Sequence, residues 1–338
     1  MRLISRITRF FFAPDVAIDL GTANTRLFAA GRGLIADSPS VVGINRKTVN
    51  HNGSSRANNE EQEIKPKYVM PLEGGVVKNV PAASMLLKKF LRRASRFGFS
   101  APRVIVCAPS DVSEDEREAL IEANRRAGAS AVAIVPEPLA AAIGAGLDVA
   151  SPYAQMLVDI GEGVTDVAVV REGELIQTEA VRTGGGDLHR AVQKMIAERY
   201  DIGISKNEAE FLTKKLGAVG GVAPLTSSLQ MLGANGSNLK KPFTVESTEV
   251  CEAINPVIGV IAETVRRAVR KMPPEACAEV VESGIRLTGG VAQLPGIVEF
   301  IAKETNLEVK PAPAPLLSVI NGASQMLEPA AETNLWQA

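Results

Sequence analysis

Two short stretches of the chain share a pattern that suits phosphate binding. Residues 19–25 read DLGTANT and residues 159–165 read DIGEGVT, so each has an aspartate, a glycine two places later and a closing threonine. An apolar run precedes each aspartate, which predicts a β-hairpin with a small-residue tip. Small residues let the backbone approach a ligand closely, and exposed N–H groups in such tips bind phosphate oxygens. We therefore expect two phosphate-binding turns.

The aspartates that end the two apolar runs have a different predicted role. Their carboxylates would repel phosphate, so we expect each to hold a hydrated Mg²⁺ through water molecules. One copy of the pattern is more often an ordinary hairpin, but two copies in matching contexts favour a clamp around one nucleotide. The predicted phosphate and metal residues are Asp19, Gly21, Thr22, Ala23, Asn24, Asp159, Gly161 and Gly163.

Further candidate contacts lie where predicted strands and helices begin or end. Gly184 and Gly185 precede a predicted helix, whose first N–H groups could bind a ribose hydroxyl or a phosphate, although the glycines could equally form only a tight turn. Gly289 and Gly290 follow a short strand and could line the nucleoside side. Glu137 ends a predicted strand, where it could orient a water molecule for phosphoryl transfer or cap the next helix.

The elements that must position these residues alternate between strands and helices. In the first half the pattern predicts strands at 103–108 and 131–135 and helices at 114–127 and 139–147. In the second half it predicts a second hairpin, helices at 188–200, 206–216 and 248–272, and an irregular Gly/Ser-rich segment at 217–239. Ser113 and Glu116 form a capping box at the start of one helix. The alternation predicts an α/β fold that includes parallel strands.

Composition excludes several function classes. A chain of 338 residues with 46% hydrophobic residues can fill two cores, and 37 basic against 38 acidic residues give no overall field for nucleic acid. The three cysteines, Cys107, Cys251 and Cys277, lack disulfide or zinc spacing, which fits a reducing cytoplasm. The two histidines, His51 and His189, have no metal-ligand spacing.

Two segments have features of a membrane contact. At the N-terminus a helical wheel separates Arg2, Arg6 and Arg9 from the apolar residues Leu3, Ile4, Ile7, Phe10 and Phe11, which predicts an amphipathic helix over residues 1–13. This helix could lie on a bilayer surface or pack on the core of the protein. Phe97 and Phe99 flank a glycine and could contact a membrane or a partner, or cap the core. No apolar run reaches the length of a membrane-spanning helix.

Taken together, these motifs resemble a known superfamily. Residues 19–25, 39–42, 137–147, 158–161 and 287–290 match motifs of the actin, DnaK chaperone and sugar-kinase superfamily, and within it the chain is similar to the bacterial actins of the MreB family from about residue 14 to 327. The resemblance implies an actin-like fold with two duplicated RNase H-like lobes around a nucleotide cleft. It places the first lobe at 14–147 plus about 317–330, with a reduced outer subdomain at about 37–69. It places the second lobe at 150–316, with an outer subdomain at about 187–245, and leaves 331–338 as a C-terminal tail.

The resemblance also implies a function. Members of the family bind ATP with Mg²⁺, polymerise into filaments at the inner face of the cell membrane and organise cell-wall synthesis and cell shape. The implied partners are the protein itself, inner membrane lipids and cell-wall elongation proteins, and the implied location is cytoplasmic and peripheral. Membrane contacts of the family match the N-terminal helix and the Phe97–Phe99 loop, and Glu210 matches a residue on the adenine side.

Several departures from the family pattern bear on catalysis. Glu162 replaces a glycine and Val164 replaces a threonine in the second turn, so ATP hydrolysis is expected to be weak or impaired. A Glu162 carboxylate about 5 Å from a phosphate would cost about 3 kcal/mol at an effective dielectric near 20, unless it turns outward or reaches the metal. Thr213 stands where the family has lysine, and Gly186 and His189 lie near family acidic positions. Two other functions stay open at this point, a small-molecule kinase of the same fold and a scaffold filament that does not depend on nucleotide.

Overall fold

A five-stranded sheet forms the centre of the first half of the molecule. The computed structural model describes residues 14–44, 67–95, 101–234 and 240–327. The strands of this sheet are β1 (Val16–Leu20), β2 (Asn24–Ala29), β3 (Gly33–Pro39), β8 (Arg103–Ala108) and β9 (Ala131–Pro136). Their order is β3-β2-β1-β8-β9, with β1, β2 and β3 antiparallel and β1, β8 and β9 parallel. Two short strand pairs come between β3 and β8 in the chain and form separate sheets. They are β4 (Val42–Ile44) with β5 (Lys67–Val69), and β6 (Leu72–Glu73) with β7 (Val76–Val77).

The second half repeats this sheet. Its strands are β10 (Gln155–Ile160), β11 (Thr165–Arg171), β12 (Glu174–Val181), β15 (Ile285–Thr288) and β16 (Val309–Pro311), in the order β12-β11-β10-β15-β16. The hairpin registers correspond as well, because Asp19 pairs with Arg26 where Asp159 pairs with Asp166. A separate hairpin consists of β13 (Ser228–Ala234) and β14 (Lys240–Glu246). We refer to the structure around each five-stranded sheet as the first and the second lobe.

Helices cover both sheets. They are α1 (Val80–Ala94), α2 (Glu114–Ala127), α3 (Glu137–Gly144), α4 (Gly185–Tyr200), α5 (Lys206–Leu216), α6 (Ser247–Lys271), α7 (Pro274–Ser283), α8 (Ile297–Thr305) and α9 (Ser318–Gln325). The predicted capping box of α2 is present, since Ser113 Oγ accepts from Glu116 N and the Glu116 carboxylate accepts from Ser113 N. One face of α6 is buried in the core of the second lobe, as its amphipathic pattern predicts.

Two helices meet between the lobes at backbone contact distance. A Cβ on Gly144 of α3 would lie 1.8 Å from Ser318 O, and a Cβ on Gly322 of α9 would lie 1.7 Å from Ala140 O. Only glycine fits at such a crossing. Apolar residues of α3 pack against both halves: Ala140 contacts the first sheet and the last helix, whereas Ala141 belongs to a cluster with Leu157 of β10. The two lobes therefore share a rigid connection beside the ends of β9 and β10.

Some predicted boundaries were wrong. The segment 217–239, predicted as irregular, contains β13, because residues of this hairpin pair in regular register although the segment is rich in glycine and serine. The small-residue helix begins at Glu137 and ends at Gly144, not at 139 and 147. The elements that were not predicted include β5, β6, β7, β14, β16 and α7.

The predicted membrane contacts Leu3, Ile4, Ile7, Phe10, Phe11, Phe97 and Phe99 lie outside the described residues. Among the described ranges, no helix combines the length and the apolar character needed to span a membrane.

Candidate functional site

A cavity of about 440 Å³ lies between the two lobes, where β1 and β10 end. Both glycine-containing turns line it, one from each lobe. The predicted site residues that line the cavity are Asp19, Gly21, Thr22, Ala23, Asn24, Glu137, Asp159, Gly161, Gly163, Gly185, Glu210, Gly289 and Gly290. The structure thus brings residues from both halves of the chain to one place, and it does so through strand ends of equivalent topology.

The two turns have the same backbone hydrogen bond. Gly21 N donates to Asn24 O at 3.1 Å, and Gly161 N donates to Val164 O at 2.9 Å. A Cβ on Gly21 would lie 2.8 Å from Asn24 O, so the first turn requires glycine at this position. The second turn is less crowded, since a Cβ on Gly161 would lie 3.2 Å from Val164 O.

The threonine that ends each motif fixes its hairpin to the next strand. Thr25 Oγ1 is hydrogen-bonded to Ser40 Oγ at 2.8 Å, and Ser40 Oγ donates to Gly21 O at 2.6 Å. In the second lobe, Thr165 Oγ1 donates to Thr183 O at 2.8 Å. Both threonines are fully buried. Their role is therefore to hold the turns in place rather than to contact a ligand.

Gly184 and Gly289 allow backbone segments to pack closely against the second turn. Gly184, a predicted contact, does not line the cavity; it packs behind the wall, where a Cβ would lie 2.4 Å from Gly161 O. Gly289 has a φ of +87° and a Cβ there would lie 2.2 Å from Ile160 O. Both glycines therefore let neighbouring segments approach the second turn.

Three acidic side chains, Asp19, Glu137 and Asp159, line the cavity next to the turns, and the charge of a fourth, Asp166, acts on Glu137 and Asp159. Loss of hydration raises the pKa of Glu137 well above its usual range, and the charges of Asp159, Asp166 and Asp19 raise it further. Burial raises the pKa of Asp159 to about 8, again with Asp166 and Asp19 contributing. Burial also raises the pKa of Asp19, although Arg26 opposes that change. Burial is the largest cause of these pKa shifts and neighbouring carboxylates add to them, so a cation bound here would favour the ionised forms.

Asp166 is the member of this group that the sequence reasoning missed. Ser110 holds it across the lobes, with Ser110 N at 3.1 Å and Ser110 Oγ at 2.5 Å from Asp166 Oδ1. Burial raises the pKa of Asp166 to about 6. A signal was present, because Asp166 stands seven residues after Asp159 and cross-strand partners of a hairpin share one face.

The equivalent position in the first lobe has the opposite charge. Arg26 Nη1 lies 3.1 Å from Asp19 Oδ2, and Arg26 Nε lies 3.3 Å from Asp37 Oδ2. Arg26 also lines the cavity. The first aspartate therefore has a local counter-charge, while the second has another carboxylate beside it.

The chemistry of these donors fits hydrated Mg²⁺. Carboxylate oxygens suit this ion, which keeps several of its own water ligands. Within the described ranges, no three histidine, cysteine or acidic side chains are placed so that they could ligate one metal ion together.

Glu137 lies at the start of α3 and lines the cavity. It is the first residue of α3, and the N-cap position belongs to Pro136, with no side-chain hydrogen bond to the helix end. Its side chain lines the cavity near the aspartates that raise its pKa. As an acidic residue in the first turn, Glu137 also suits the dipole of α3.

Away from the two turns, the wall of the cavity is mostly apolar and includes one ion pair. Leu225, Leu294 and Leu316 line it, and on α5 Glu210 Oε1 lies 2.5 Å from Lys214 Nζ. Thr213, which replaces an expected lysine, also lines the cavity, and its hydroxyl donates to Ala209 O at 2.8 Å. An apolar wall beside a carboxylate suits a flat heterocycle with amino or hydroxyl groups.

The lobes touch at the turn end of the cavity. A Cβ on Gly163 would lie 2.7 Å from Thr22 Oγ1 and 3.1 Å from the Gly74 Cα, both in the first lobe. Thr22 Oγ1 in turn accepts from Gly75 N at 2.9 Å. The β6–β7 hairpin tip, residues 74–75, therefore lies against the second turn and closes this end of the cleft.

Comparison with known proteins agrees with this geometry. The sequence model described as MreB/Mbl protein matches residues 13–334. The cell shape-determining protein Mbl of Bacillus cereus is 32% identical over 324 residues, which cover 94% of this chain and 96% of that protein. The cell shape-determining protein MreB of Escherichia coli K12 is 32% identical over 335 residues, covering 95% of each chain.

A solved structure gives the same result for the fold. The crystal structure of MreB 5 of Spiroplasma citri bound to AMPPNP superposes with a TM-score of 0.82 at 28% identity, covering 96% of this chain and 98% of that one. The actin-like fold predicted from the sequence is therefore confirmed.

Proposed function

This chain belongs to the MreB/Mbl family, and we propose that it is an actin-like cytoskeletal protein that binds ATP with Mg²⁺ and polymerises into filaments that determine cell shape. The observation that carries the nucleotide proposal is the cavity in which two equivalent turns, one from each lobe, face the same space. The likeness to MreB 5, which was solved with an ATP analogue, supports it.

Each part of the cavity suits one part of ATP. The N–H groups of the turns at 21–24 and 161–163 would bind phosphate oxygens, and Asp19 and Asp159 would hold Mg²⁺ through water. The metal would shield the phosphates from the four carboxylates. Glu210, Gly289 and Gly290, with Gly185 at the start of α4, would contact the nucleoside.

Glu137 is the proposed catalytic residue. Its carboxylate would orient the attacking water molecule, a positioning role in phosphoryl transfer. Val164 cannot share that role because its side chain has no polar group, and it is buried against the first lobe. Slow hydrolysis is therefore the proposed enzymatic activity.

Filament and membrane contacts complete the proposal. The N-terminal residues Leu3, Ile4, Ile7, Phe10 and Phe11, together with Phe97 and Phe99, would insert into the inner face of the cell membrane from the cytoplasm. Each such anchor is weak alone, but a filament makes later contacts effectively intramolecular. Cell-wall elongation proteins are the proposed further partners. Residues 14–147 with about 317–330 and residues 150–316 are the proposed lobes, with outer subdomains at about 37–69 and 187–245.

A binding and sedimentation assay tests the nucleotide part. The purified full chain should bind a fluorescent ATP analogue with Mg²⁺ and form sedimentable filaments with ATP. Asp159→Asn should reduce both, because it removes a carboxylate of the metal site, whereas Asp148→Asn, at an exposed position between the two lobes, should change neither. Equal behaviour of the two variants would contradict the assigned site.

Electron microscopy on anionic liposomes tests the membrane part. With ATP, the full chain should coat the vesicles with filaments, and a shortened chain that starts at Asp15 should form filaments in solution but coat vesicles poorly. Equal coating by the shortened chain would contradict an N-terminal anchor. Exchange of Phe97 and Phe99 for serine tests the second anchor in the same way.

Two alternatives predict different outcomes in these assays. ATP turnover that appears only with an added sugar would favour the small-molecule kinase, for which the family match gives no support. Filaments that form equally well after removal of nucleotide and metal would favour a nucleotide-independent scaffold.

A further inference from the structure

Glu162 introduces a carboxylate into the middle of the second phosphate-type turn. It lines the cavity between Gly161 and Gly163, and its side chain is only 15% exposed. A negative charge at this place opposes the binding of a polyphosphate unless another group compensates it.

Two side chains of the second lobe face this carboxylate. Lys206 Nζ lies 2.6 Å from Glu162 Oε1, and His189 Nδ1 lies 3.6 Å from the same oxygen. Burial alone would raise the pKa of Glu162, but the hydrogen-bonding and charge effects of His189 and Lys206 outweigh it and lower the pKa. Glu162 is therefore ionised, and its charge is compensated from outside the turn.

The start of α4 leaves room for this arrangement. A Cβ on Gly185 would lie 3.0 Å from Glu162 Oε2, and a Cβ on Gly186 would lie 3.2 Å from Glu162 Oε1. The carboxylate therefore lies over two residues without side chains. This packing directs it toward α4 and α5.

Lys206 connects the turn to the other end of the cavity. It is the first residue of α5, the helix that carries Glu210 and Lys214 at the apolar end. One ion pair thus joins the turn to the helix that would contact the base.

We propose that Lys206 is a positioning residue for nucleotide binding, which holds the Glu162 carboxylate away from the phosphates and cancels its charge. The inference rests on the proposed binding of ATP. Its consequence is specific: loss of Lys206 harms binding because Glu162 then has only His189 beside it, so loss of Glu162 as well restores binding.

A double-mutant cycle with ligands of different charge tests this inference. Titration calorimetry with Mg²⁺ would measure ATP, ADP and adenosine against the wild type, Lys206→Met, Glu162→Gln and the double variant. An uncompensated carboxylate about 5 Å from a phosphate weakens binding by about 200-fold at an effective dielectric near 20, and His189 reduces this effect. Lys206→Met should therefore weaken ATP binding by about 30- to 100-fold, ADP binding less, and adenosine binding by at most about twofold.

The other variants complete the test. The double variant and Lys206→Arg should bind ATP within about threefold of the wild type. Lys215→Met is the matched control, because it removes the same charge from an exposed position on the same helix, and it should leave all three affinities unchanged.

Three results would overturn the inference. Lys206→Met could bind ATP like the wild type, it could weaken all three ligands equally, or the double variant could bind as weakly as Lys206→Met. A misfolded Lys206→Met is recognised by its circular dichroism, and Glu162→Gln then decides, because it should bind ATP at least as tightly as the wild type. A wild type that binds none of the ligands would instead refute the proposed function itself, and this inference with it.

Discussion

Arg182 connects the two lobes, and its replacement should open the cleft. It follows β12 in the second lobe, and its guanidinium donates to acceptors in the first lobe. Arg182 Nη1 lies 2.5 Å from Gly74 O, Nε lies 2.7 Å from Asp111 Oδ2, and Nη2 lies 3.1 Å from Glu116 Oε2. Arg182→Met keeps much of the apolar stem and removes all three contacts.

The size of the effect follows from the exposure of these groups. The Arg182, Asp111 and Glu116 side chains are 32%, 36% and 21% exposed, so each ion pair contributes at most about 1 kcal/mol. The charged hydrogen bond to Gly74 O adds about 1.5 kcal/mol. Arg182→Met should therefore shift the balance between closed and open cleft by about 2–3 kcal/mol, which is about 30- to 150-fold.

Two measurements detect this opening. Release of a fluorescent ATP analogue, followed by stopped flow, should accelerate by about 10- to 100-fold. Amide hydrogen exchange at residues 72–77 should increase, because this hairpin tip loses its contact with the second lobe.

Arg171→Met provides the control for charge loss. Arg171 Nη2 lies 2.7 Å from Glu279 Oε2, its side chain is 29% exposed, and both residues belong to the second lobe. This variant should lose similar stability without faster nucleotide release. If both variants release nucleotide at the same rate, Arg182 does not hold the cleft closed.

The remaining predictions concern the carboxylates and the second turn. Glu137→Gln should lower phosphate release from ATP by about 10²-fold or more while filaments still sediment, because only the activation of water is removed; an equal loss of ATP binding would contradict this. Asp166→Asn should raise the free energy of unfolding of the nucleotide-free protein by about 2–3 kcal/mol at pH 8. The reason is that burial raises the pKa of Asp166 from 3.8 to about 6, which makes its ionised form unfavourable in the folded protein. Urea unfolding should show that gain shrinking as the pH falls from about 6 to about 4, and a gain independent of pH would refute the assignment. Gly163→Ala should weaken ATP binding at least about tenfold, because its Cβ would lie 2.7 Å from Thr22 Oγ1, while Gly203→Ala, which meets no neighbour, should not.

The sequence correctly predicted several local features of the structure. The repeated turn predicted both hairpins, and the capping box at Ser113 predicted where α2 begins, because both signals lie within a few adjacent residues. The register of a hairpin also made Asp166 predictable, since it takes the place that Arg26 takes in the first lobe. Asp166 was not among the predicted site residues because the motif itself ends at Thr165.

Other features depend on contacts between distant residues and could not be read from the sequence. Lys206 follows Glu162 by 44 positions, and Arg182 follows Asp111 by 71. Neither pair has a periodic or motif signal, because such contacts arise only after the lobes have folded and docked. The β13–β14 hairpin was missed for another reason, since its glycines and serines obscure the alternation that places Phe243 and Val245 in the core.

The two lobes contribute equivalent hairpins to the site, and these hairpins differ in charge. Two equivalent hairpins give two turns that can face one ligand, but they differ at the paired position, which is Arg26 in the first lobe and Asp166 in the second. Arg26 partly compensates Asp19, whereas burial raises the pKa of Asp159 to about 8 and the charge of Asp166 contributes to that rise. A cation entering a symmetric clamp would have no preferred side. Here Asp19 has Arg26 beside it, whereas Asp159 has Asp166, so we expect a bound cation to lie nearer to Asp159.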